Sequence, residues 1–397
     1  MPDSIQVTAL PVPMPADAPP GLYVHVPFCR HICPYCDFNT YAGQDQLIPD
    51  YVAAVIEEMG IEETERRTTG APTLFFGGGT PSLLTPAQVG DIVAAARDLF
   101  GLRVDAEVTL ESNPESLDAE YLSRLREAGV NRLSIGVQSQ QRAGLRVLGR
   151  GHTAQKAESA IQAAREAGFD NISLDFIFGW PGQTDEDWQA DLDQILRWQP
   201  EHVSLYSLIV EPGTPMHAAV DRGILRALDD DTAAVMYELA ADLLADAGWE
   251  HYEIANWARE PRYRSRHNQL YWQAGPYHGF GAGAHGTIDG VRYSNLLLPS
   301  KYIAAVREGR RPLAVSETLA TETAMGETMM LGLRLLVDGV SSTDFAARHS
   351  QSLTDRYAGE IERFTSIGLL EWHTPDRLRL TERGALLAND VSAAFLP

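Results

Sequence analysis

The chain has 397 residues, 44% of them hydrophobic, which is enough to build a large α/β domain and a smaller second domain. It contains 54 Asp and Glu against 32 Lys and Arg, giving a formal net charge of −22 at pH 7. This acidic excess argues against nucleic acid or anionic lipid as a binding partner. No stretch of sequence approaches the roughly 18 apolar residues needed to span a membrane.

The N-terminal segment is rich in proline and has neither the basic region nor the apolar run of a signal peptide. We therefore expect residues 1–20 to form a disordered tail and the protein to be cytoplasmic.

Six short apolar segments end in or near Gly, Pro, Asn or Ser and are predicted to be strands. They are Leu22–Phe28, Thr73–Phe76, Glu107–Glu111, Arg132–Val137, Ile172–Phe178 and Val203–Ile209. Helix-like segments such as IPDYVAAVIEEMG, PAQVGDIVAAARDLF and LDAEYLSRLREAG lie between them. This alternation predicts an α/β fold made of parallel βαβ units, whose site is built by the loops after the strands.

The second half of the chain has a different pattern. A helix is expected over Thr232–Ala247, ended by Gly248, before an aromatic and glycine-rich stretch. From Glu322 onward, helices precede the short strands LLEW and RLRLT, which flank a turn. This order predicts a small C-terminal winged-helix-like domain, whose acidic balance argues against DNA binding.

All three cysteines lie in the segment FCRHICPYCDFN, on the loop after the first predicted strand. Thiolates at Cys29, Cys33 and Cys36 can bind three irons of a 4Fe-4S cluster and leave the fourth iron open to a small molecule. Two alternatives stay open on these residues. One is a zinc site completed by His25 or His31. The other is a thioredoxin-like CPYC motif, which leaves Cys29 without a role.

The CxxxCxxC spacing, with Tyr35 before the last cysteine, resembles the signature of radical S-adenosylmethionine (radical SAM) proteins. The longer run YVHVPFCRHICPYCDFN is similar to the oxygen-independent coproporphyrinogen dehydrogenases and to their relatives, the HemW haem chaperones. The fold expected with this resemblance is a partial (β/α)6 barrel over residues 21–215. An α/β extension over 216–315 and a HemN-type C-terminal domain over 316–397 complete it.

The glycine-rich loop that follows the strand TLFF lets backbone amides approach a ligand closely. The resemblance implies that nine residues in the cysteine segment, this loop and the neighbouring strands bind S-adenosylmethionine, which also binds the open iron of the cluster. These residues are Tyr23, Tyr35, Gly78, Gly79, Thr80, Glu111, Gln138, Arg150 and Asp175. Asp175 interrupts an apolar strand, where an unpaired carboxylate is costly, so a ribose hydroxyl is a plausible partner.

The segment RHNQLYW at residues 266–272 resembles the HNxxYW motif of HemW-type chaperones. The resemblance makes His267 a candidate haem ligand, with Tyr271 and Trp272 packing on the porphyrin. The alternative is a hydrogen-bonded core cluster that supports the sheet.

Two departures from the dehydrogenase favour the chaperone branch. The dehydrogenase carries a further cysteine where this chain has Phe38, and it has a longer region before the motif. The expected function is to bind haem and deliver it to respiratory or other haem proteins, some of them membrane-bound, with a 4Fe-4S cluster and S-adenosylmethionine as cofactors. The alternative is an oxygen-independent coproporphyrinogen III oxidase that uses a 5′-deoxyadenosyl radical.

Overall fold

The computed structural model describes residues 19–66 and 70–397, so the predicted tail lies almost wholly outside the described residues. The strands are β1 Gly21–Val26, β2 Phe28–Cys29, β3 Tyr41–Ala42, β4 Thr73–Gly78, β5 Glu107–Ser112, β6 Arg132–Gln138, β7 Ile172–Phe178, β8 His202–Ser207, β9 Glu250–Glu253, β10 Asn256–Ala258, β11 Tyr277–Phe280, β12 His285–Ile288, β13 Val291–Asn295, β14 Leu313–Thr318, β15 Val340–Ser341, β16 Leu370–Thr374 and β17 Arg377–Leu380.

The helices are α1 Ile48–Arg66, α2 Pro86–Phe100, α3 Ala119–Glu127, α4 Arg142–Val147, α5 Ala154–Glu166, α6 Asp185–Trp198, α7 Pro215–Asp221, α8 Asp230–Asp246, α9 Arg266–Trp272, α10 Pro299–Arg307, α11 Thr321–Gly332, α12 Ser342–His349, α13 Leu353–Arg356, α14 Ala358–Ser366, α15 Glu382–Leu386 and α16 Ala388–Ala393. In the part of the chain that is described, no helix is long and apolar enough to cross a membrane.

A sheet of 12 strands forms the centre of the molecule, in the order β14-β13-β12-β11-β1-β4-β5-β6-β7-β8-β10-β9. The run from β1 through β4, β5, β6 and β7 to β8 is parallel throughout. These are the six strands predicted from sequence, and the α/β fold class is confirmed. Because parallel strands share one direction, their carboxyl ends and the loops that follow lie at the same edge of the sheet.

Local sequence fixes where the crossover helices begin and end. Thr85 caps α2 in a reciprocal capping box with Gln88, and Gly101 ends that helix with φ 56°. Thr184 and Asp187 form the equivalent box at the start of α6. Helix α2 therefore has the bounds of its predicted segment, whereas α3 is shorter than its segment by two residues at each end.

The first strand ends earlier than predicted. The prediction ran through Phe28, but β1 stops at Val26, and Phe28 and Cys29 form the separate strand β2, paired with β3. Pro27 lies at the break, and proline has no N–H to donate to a strand ladder. The chain therefore turns away from the main sheet just before the first cysteine.

The C-terminal region has its own sheet, in the order β15-β17-β16, and its own hydrophobic core. The predicted strands LLEW and RLRLT form the hairpin of β16 and β17. Helices α11 to α16 surround this hairpin, as the predicted helix-rich pattern requires.

A buried carboxyl group joins α1 to the extension of the sheet. Glu58 is 1% exposed and accepts hydrogen bonds from the Tyr302 hydroxyl at 2.5 Å, the Asn295 side-chain amide at 2.6 Å and the Gly281 N–H at 2.8 Å. Three donors compensate a carboxyl group that would otherwise be costly to bury. The cluster holds α1 and α10 to the β11–β13 segment.

We predict that Tyr302→Phe lowers the free energy of unfolding by about 1 to 3 kcal/mol, because it leaves an oxygen of Glu58 with one donor fewer in a buried site. Tyr357→Phe is the matched control, since the Tyr357 hydroxyl is buried but has no hydrogen-bond partner among the described residues. Chemical denaturation of both variants measures the difference. Equal stability of the two variants would contradict the role given to Glu58.

Candidate functional site

A cavity of about 630 Å³ opens at the carboxyl ends of the parallel strands. Its wall includes most of the residues singled out from the sequence, which come from five strands and the loops after them. These wall residues are Cys29, Cys33, Tyr35, Cys36, Gly78, Gly79, Thr80, Glu111, Gln138, Arg150 and Asp175. Tyr23 and His267 are not in the wall of this cavity.

Cys29 ends β2, and Cys33 and Cys36 lie on the loop between β2 and β3. Cys29 is buried, whereas Cys33 and Cys36 are half-buried, and the Cys36 N–H donates to the Cys33 carbonyl at 3.1 Å. The Thr80 hydroxyl donates to the Cys29 sulfur at 3.4 Å. Burial raises the pKa of Cys29 and Cys36, so binding a cation there would release protons from the thiols.

The histidines considered for a zinc site are engaged elsewhere. The ring of His25 is hydrogen-bonded to the Tyr23 hydroxyl at 2.9 Å and to the Asn39 carbonyl at 3.0 Å, and His31 Nε2 donates to the Gly149 carbonyl at 2.9 Å. Among the described residues, no group of three His, Cys, Asp or Glu side chains has the spacing of a single-ion site. In a cubane each thiolate binds a different iron, so the thiols do not need to converge on one point. The donor set and its spread fit a 4Fe-4S cluster.

The glycine-rich loop lies against the cysteine loop. Gly78 has φ 109°, and a Cβ there would come within 2.5 Å of the His25 ring. A Cβ on Gly79 would lie 3.0 Å from the Cys29 sulfur and 2.8 Å from the Phe28 carbonyl oxygen. These positions therefore require glycine for close approach of the two loops.

Two amides of this loop form hydrogen bonds within the protein. The Gly78 N–H donates to Glu111 at 3.2 Å, and the Gly79 N–H donates to the Val26 carbonyl at 2.8 Å. A ligand would have to displace these bonds to use either donor. Thr80, whose hydroxyl reaches Cys29, follows directly.

Two carboxyl groups stand side by side in the cavity wall. Burial, and after it the nearby charge of Asp175, raises the pKa of Glu111 to about 8. Asp175 accepts hydrogen bonds from Ser134 at 2.8 and 3.0 Å and from Ser173 at 3.3 Å, and burial raises its pKa as well. These two serines compensate the carboxylate within the otherwise apolar strand β7. The raised pKa means that Glu111 keeps its proton more readily than an exposed carboxyl group does.

Arg150 connects the end of β6 to the cysteine loop. Its guanidinium donates to the Cys33 sulfur at 3.5 Å, to the Gly136 carbonyl at 3.2 Å and to the side chain of Asn113. A Cβ on Gly136 would come within 2.7 Å of the Gln138 amide nitrogen and 3.3 Å of the Arg150 guanidinium. The missing side chain at Gly136 therefore leaves room for both.

The backbone of Gln138 is strained. Its φ is 67°, a backbone conformation that residues other than glycine rarely adopt. The register of β6 and β7 also shifts between Gly136 and Gln138, which marks a bulge. Strain of this kind is maintained only where the surrounding structure enforces it, and it is frequent at functional sites. The bulge places Gln138 in the cavity wall.

The two tyrosines assigned to S-adenosylmethionine lie in different places. Tyr35 packs beside Leu148, Ile177 and Trp180 and lines the cavity. Tyr23 lies outside the cavity wall, hydrogen-bonded to His25 and stacked on Phe75 with ring centroids 6.2 Å apart.

His267 is held in a buried cluster. It is 1% exposed, its Nδ1 is 2.7 Å from the Thr73 hydroxyl, its Nε2 is 2.7 Å from the Tyr271 hydroxyl, and its ring stacks on Phe75 at 5.1 Å. Burial, and after it the charge of Arg132, lowers the pKa of His267 to about 3. Both ring nitrogens are engaged, so this structure favours the core alternative over an axial haem ligand.

Sequence reasoning missed Asn113 and Ser134, which orient Arg150 and Asp175. Asn113 directly follows the end of β5, where the parallel order of the strands places site residues. Ser134 had no signal, because a serine inside a buried strand carries no pattern of its own.

Comparison with known proteins agrees with this geometry. Residues 23–195 match the Radical SAM superfamily model, and residues 319–387 match the HemN C-terminal domain model. A Bacillus subtilis protein named Heme chaperone HemW is 38% identical over 375 residues, covering 94% of this chain and 98% of its own length. The Escherichia coli protein of the same name is 33% identical, covering 95% and 98%.

The solved structure of Escherichia coli coproporphyrinogen III oxidase (HemN), described as a radical SAM enzyme, superposes with a TM-score of 0.81 over 95% of this chain and 90% of its own. Its sequence is 22% identical, so this likeness shows the shared fold alone. Membership of the radical SAM superfamily brings with it a 4Fe-4S cluster and S-adenosylmethionine as cofactors.

We predict that anaerobic reconstitution yields a brown, oxygen-sensitive protein with about four irons and four sulfides per chain. Replacing Cys29, Cys33 and Cys36 together with Ala should abolish the colour and the iron. The control Phe38→Ala alters the same loop without removing a thiol and should keep both. Stoichiometric zinc without sulfide in the parent would contradict the cluster.

We expect the Glu111 carboxylate to bind the amino group of S-adenosylmethionine. The pKa of Glu111 is about 8 in the free protein. The affinity for S-adenosylmethionine should therefore rise on the order of tenfold from pH 6 to pH 7.5, because the carboxyl group loses its proton over this range. The amino group of the ligand, with a pKa of about 7.7 to 8.0, stays largely charged. Calorimetry measures this rise. Glu111→Gln should bind S-adenosylmethionine more weakly, show no rise of affinity with pH and retain its iron. Binding equal to that of the parent would exclude this role of Glu111.

Proposed function

We propose a function from one premise: the chain belongs to the HemW family of the radical SAM superfamily. In this proposal it binds haem and delivers it to acceptor haem proteins. The observation that carries the proposal is the match to proteins named Heme chaperone HemW along 94% of this chain, through both the cysteine loop and the C-terminal domain. An acceptor among respiratory enzymes and a cytoplasmic location are part of the same proposal.

The residues of the first cavity have separate tasks in this proposal. Cys29, Cys33 and Cys36 hold the cluster, which supplies one-electron chemistry when it is bound. The proposed role of Glu111 is to bind the amino group of S-adenosylmethionine, and that of Asp175 is to accept from a ribose hydroxyl. The support for these roles is that all five side chains line one cavity at the strand ends.

Arg150 serves as a positioning residue. Its guanidinium donates a hydrogen bond to the Cys33 sulfur at 3.5 Å, which holds that ligand in place. It also links that sulfur to Asn113 and to the Gly136 carbonyl, which fixes the cysteine loop over the strand ends.

The oxidase alternative has less support. The position of the dehydrogenase's additional cysteine is occupied by Phe38, whose side chain is 66% exposed at the rim of the cavity. A phenyl ring can neither ligate a metal nor act as a thiol in redox chemistry. The resemblance to the HemN structure rests on fold, which does not decide activity.

We predict that the reconstituted chain binds about one haem and forms no protoporphyrinogen from coproporphyrinogen III, even with S-adenosylmethionine and a competent reductant. Haem titration and product analysis on the same preparation test both halves. Absence of haem binding would remove the chaperone proposal, and robust turnover of coproporphyrinogen would replace it with the oxidase.

A single variant tests the role of His267 within the same experiment. His267→Ala should lower stability by about 1 to 3 kcal/mol for each partner left unsatisfied, here Thr73 and Tyr271, and should keep the Soret band of the haem-bound protein. A shifted Soret band at unchanged melting temperature would instead make His267 a haem ligand.

A further inference from the structure

The strained backbone of Gln138 forms a tight turn. The Ser139 N–H donates to the Val137 carbonyl at 2.9 Å across Gln138, whose φ is 67°. A hydrogen bond from one residue to the second residue before it, around a positive φ, defines a γ-turn of the rare, strained form. Such a turn persists only where neighbouring contacts hold it. The contacts that hold this turn must therefore act on the residues at its two ends.

The end of the turn that follows Gln138 is held by Asp191, which lies on α6 and is 52 residues away from Ser139 in sequence. The two carboxyl oxygens of Asp191 accept from the Ser139 hydroxyl and from the Gln140 N–H, both at 2.8 Å. The Ser139 oxygen also accepts from the Gln141 N–H at 3.0 Å. One side chain of a distant helix therefore fixes the two residues after Gln138 directly and Gln141 through the Ser139 hydroxyl.

The end of the turn that precedes Gln138 is held separately. His152, which is 5% exposed, donates from Nε2 to the Val137 carbonyl at 2.9 Å. This bond fixes the carbonyl that accepts the hydrogen bond of the turn. Loss of the Asp191 contacts would leave Val137 in place and free the chain from Ser139 onward, so the turn would open and the strain at Gln138 would be released.

Asp191 has the burial and the charge expected of a group that serves this loop. Its side chain is 0% exposed, on a helix face otherwise formed by large apolar residues such as Trp188, Leu192 and Ile195. Burial raises the pKa of Asp191 to about 6, and the hydrogen bonds that oppose this rise all come from residues 139–141. At neutral pH the group is therefore mostly a carboxylate, which accepts hydrogen bonds and donates none. A buried carboxylate needs such donors, so Asp191 and the loop stabilise each other.

We propose that Asp191 is a positioning residue for S-adenosylmethionine, acting through the strained turn that keeps Gln138 in the wall of the cavity. This inference rests on the proposed function, and in particular on the expected contact between Gln138 and S-adenosylmethionine. Gln138 lines the cavity, whereas Asp191 does not. The effect of Asp191 on the ligand must therefore pass through the turn. The alternative is that Asp191 only stabilises the packing of α6 against the sheet.

A double-mutant cycle separates these two roles. Gln138→Ala should weaken the binding of S-adenosylmethionine about threefold to tenfold, because a hydrogen bond to the ligand is lost. Asp191→Ala should weaken it by a similar factor, because the turn opens and the Gln138 amide leaves the wall. The variant with both changes should bind no more weakly than either single variant, since both changes remove the same contact. Calorimetry on anaerobically reconstituted protein measures the four affinities, and the iron content should be equal in all four.

Asp187→Ala is the matched control, because it removes another carboxylate of α6. The Asp187 carboxylate accepts from the Thr184 N–H at 3.2 Å and so stabilises the start of the helix. This variant should have a lower melting temperature than the parent and the same affinity for S-adenosylmethionine. Asp191→Asn keeps one acceptor oxygen for the Gln140 N–H and replaces Asp191→Ala in the cycle if the latter does not fold. It should lose less affinity, and again none when Gln138→Ala is already present.

The outcomes separate the inference from its premise. If Asp191→Ala binds S-adenosylmethionine as the parent does, or if its loss adds fully to that of Gln138→Ala, the inference is wrong and the role of Gln138 stands. If Gln138→Ala binds as the parent does, the contact with Gln138 and the inference fail together. Equal losses that do not add, with the affinity of Asp187→Ala unchanged, support the inference. Haem titration of the parent tests the proposed function separately, and absence of haem binding would remove that function whatever the cycle shows.

Discussion

The central constraint in this protein is that polar side chains buried at the carboxyl ends of the parallel strands need hydrogen-bond partners or opposite charges. Parallel order brings the carboxyl ends of six strands to one edge, where Glu111, Asp175 and Arg150 meet the cysteine loop. Each is costly to desolvate alone. Serines on β6 and β7 compensate Asp175, whereas Glu111 accepts a hydrogen bond from the Gly78 amide alone within the described part of the chain and has a raised pKa. The group that is least compensated is the one best prepared to receive a cationic ligand.

The same edge explains why the cysteine loop holds its position. The break at Pro27 turns the chain out of the sheet, and two short contacts then hold the thiols, from Thr80 to Cys29 and from Arg150 to Cys33. Both contacts come from loops that follow other strands. The positions of the thiols therefore depend on the whole parallel run, and three cysteines close in sequence are not sufficient to fix them.

Much of this arrangement could be predicted from the sequence, because strand order and strand ends follow from local patterns. Apolar segments of four to seven residues that end in or near Gly, Pro, Asn or Ser identified all six parallel strands, and parallel topology then predicted a common edge. The failures concern partners distant in the chain. Nothing local shows that the Gly78 amide is used by Glu111, 33 residues away, or that the Thr73 hydroxyl would form a hydrogen bond with the ring of His267, 194 residues away. Hydrogen-bond partners of this kind are fixed by the fold, and the sequence pattern of a single element does not contain them.

The aromatic residues of the HNxxYW segment are best understood as the packed layer between the cavity that contains the cysteines and a smaller cavity, of about 320 Å³, beside the C-terminal helices. Ring contacts run from Tyr23 to Phe75 at 6.2 Å, from Phe75 to His267 at 5.1 Å and from His267 to Tyr271 at 4.7 Å. One end of this series is hydrogen-bonded to His25, beneath the glycine-rich loop, and the other forms a wall of the smaller cavity. A buried histidine with both nitrogens engaged fixes the rings on either side of it. In this position His267 packs between the rings of Phe75 and Tyr271, which accounts for a histidine at this point of the motif.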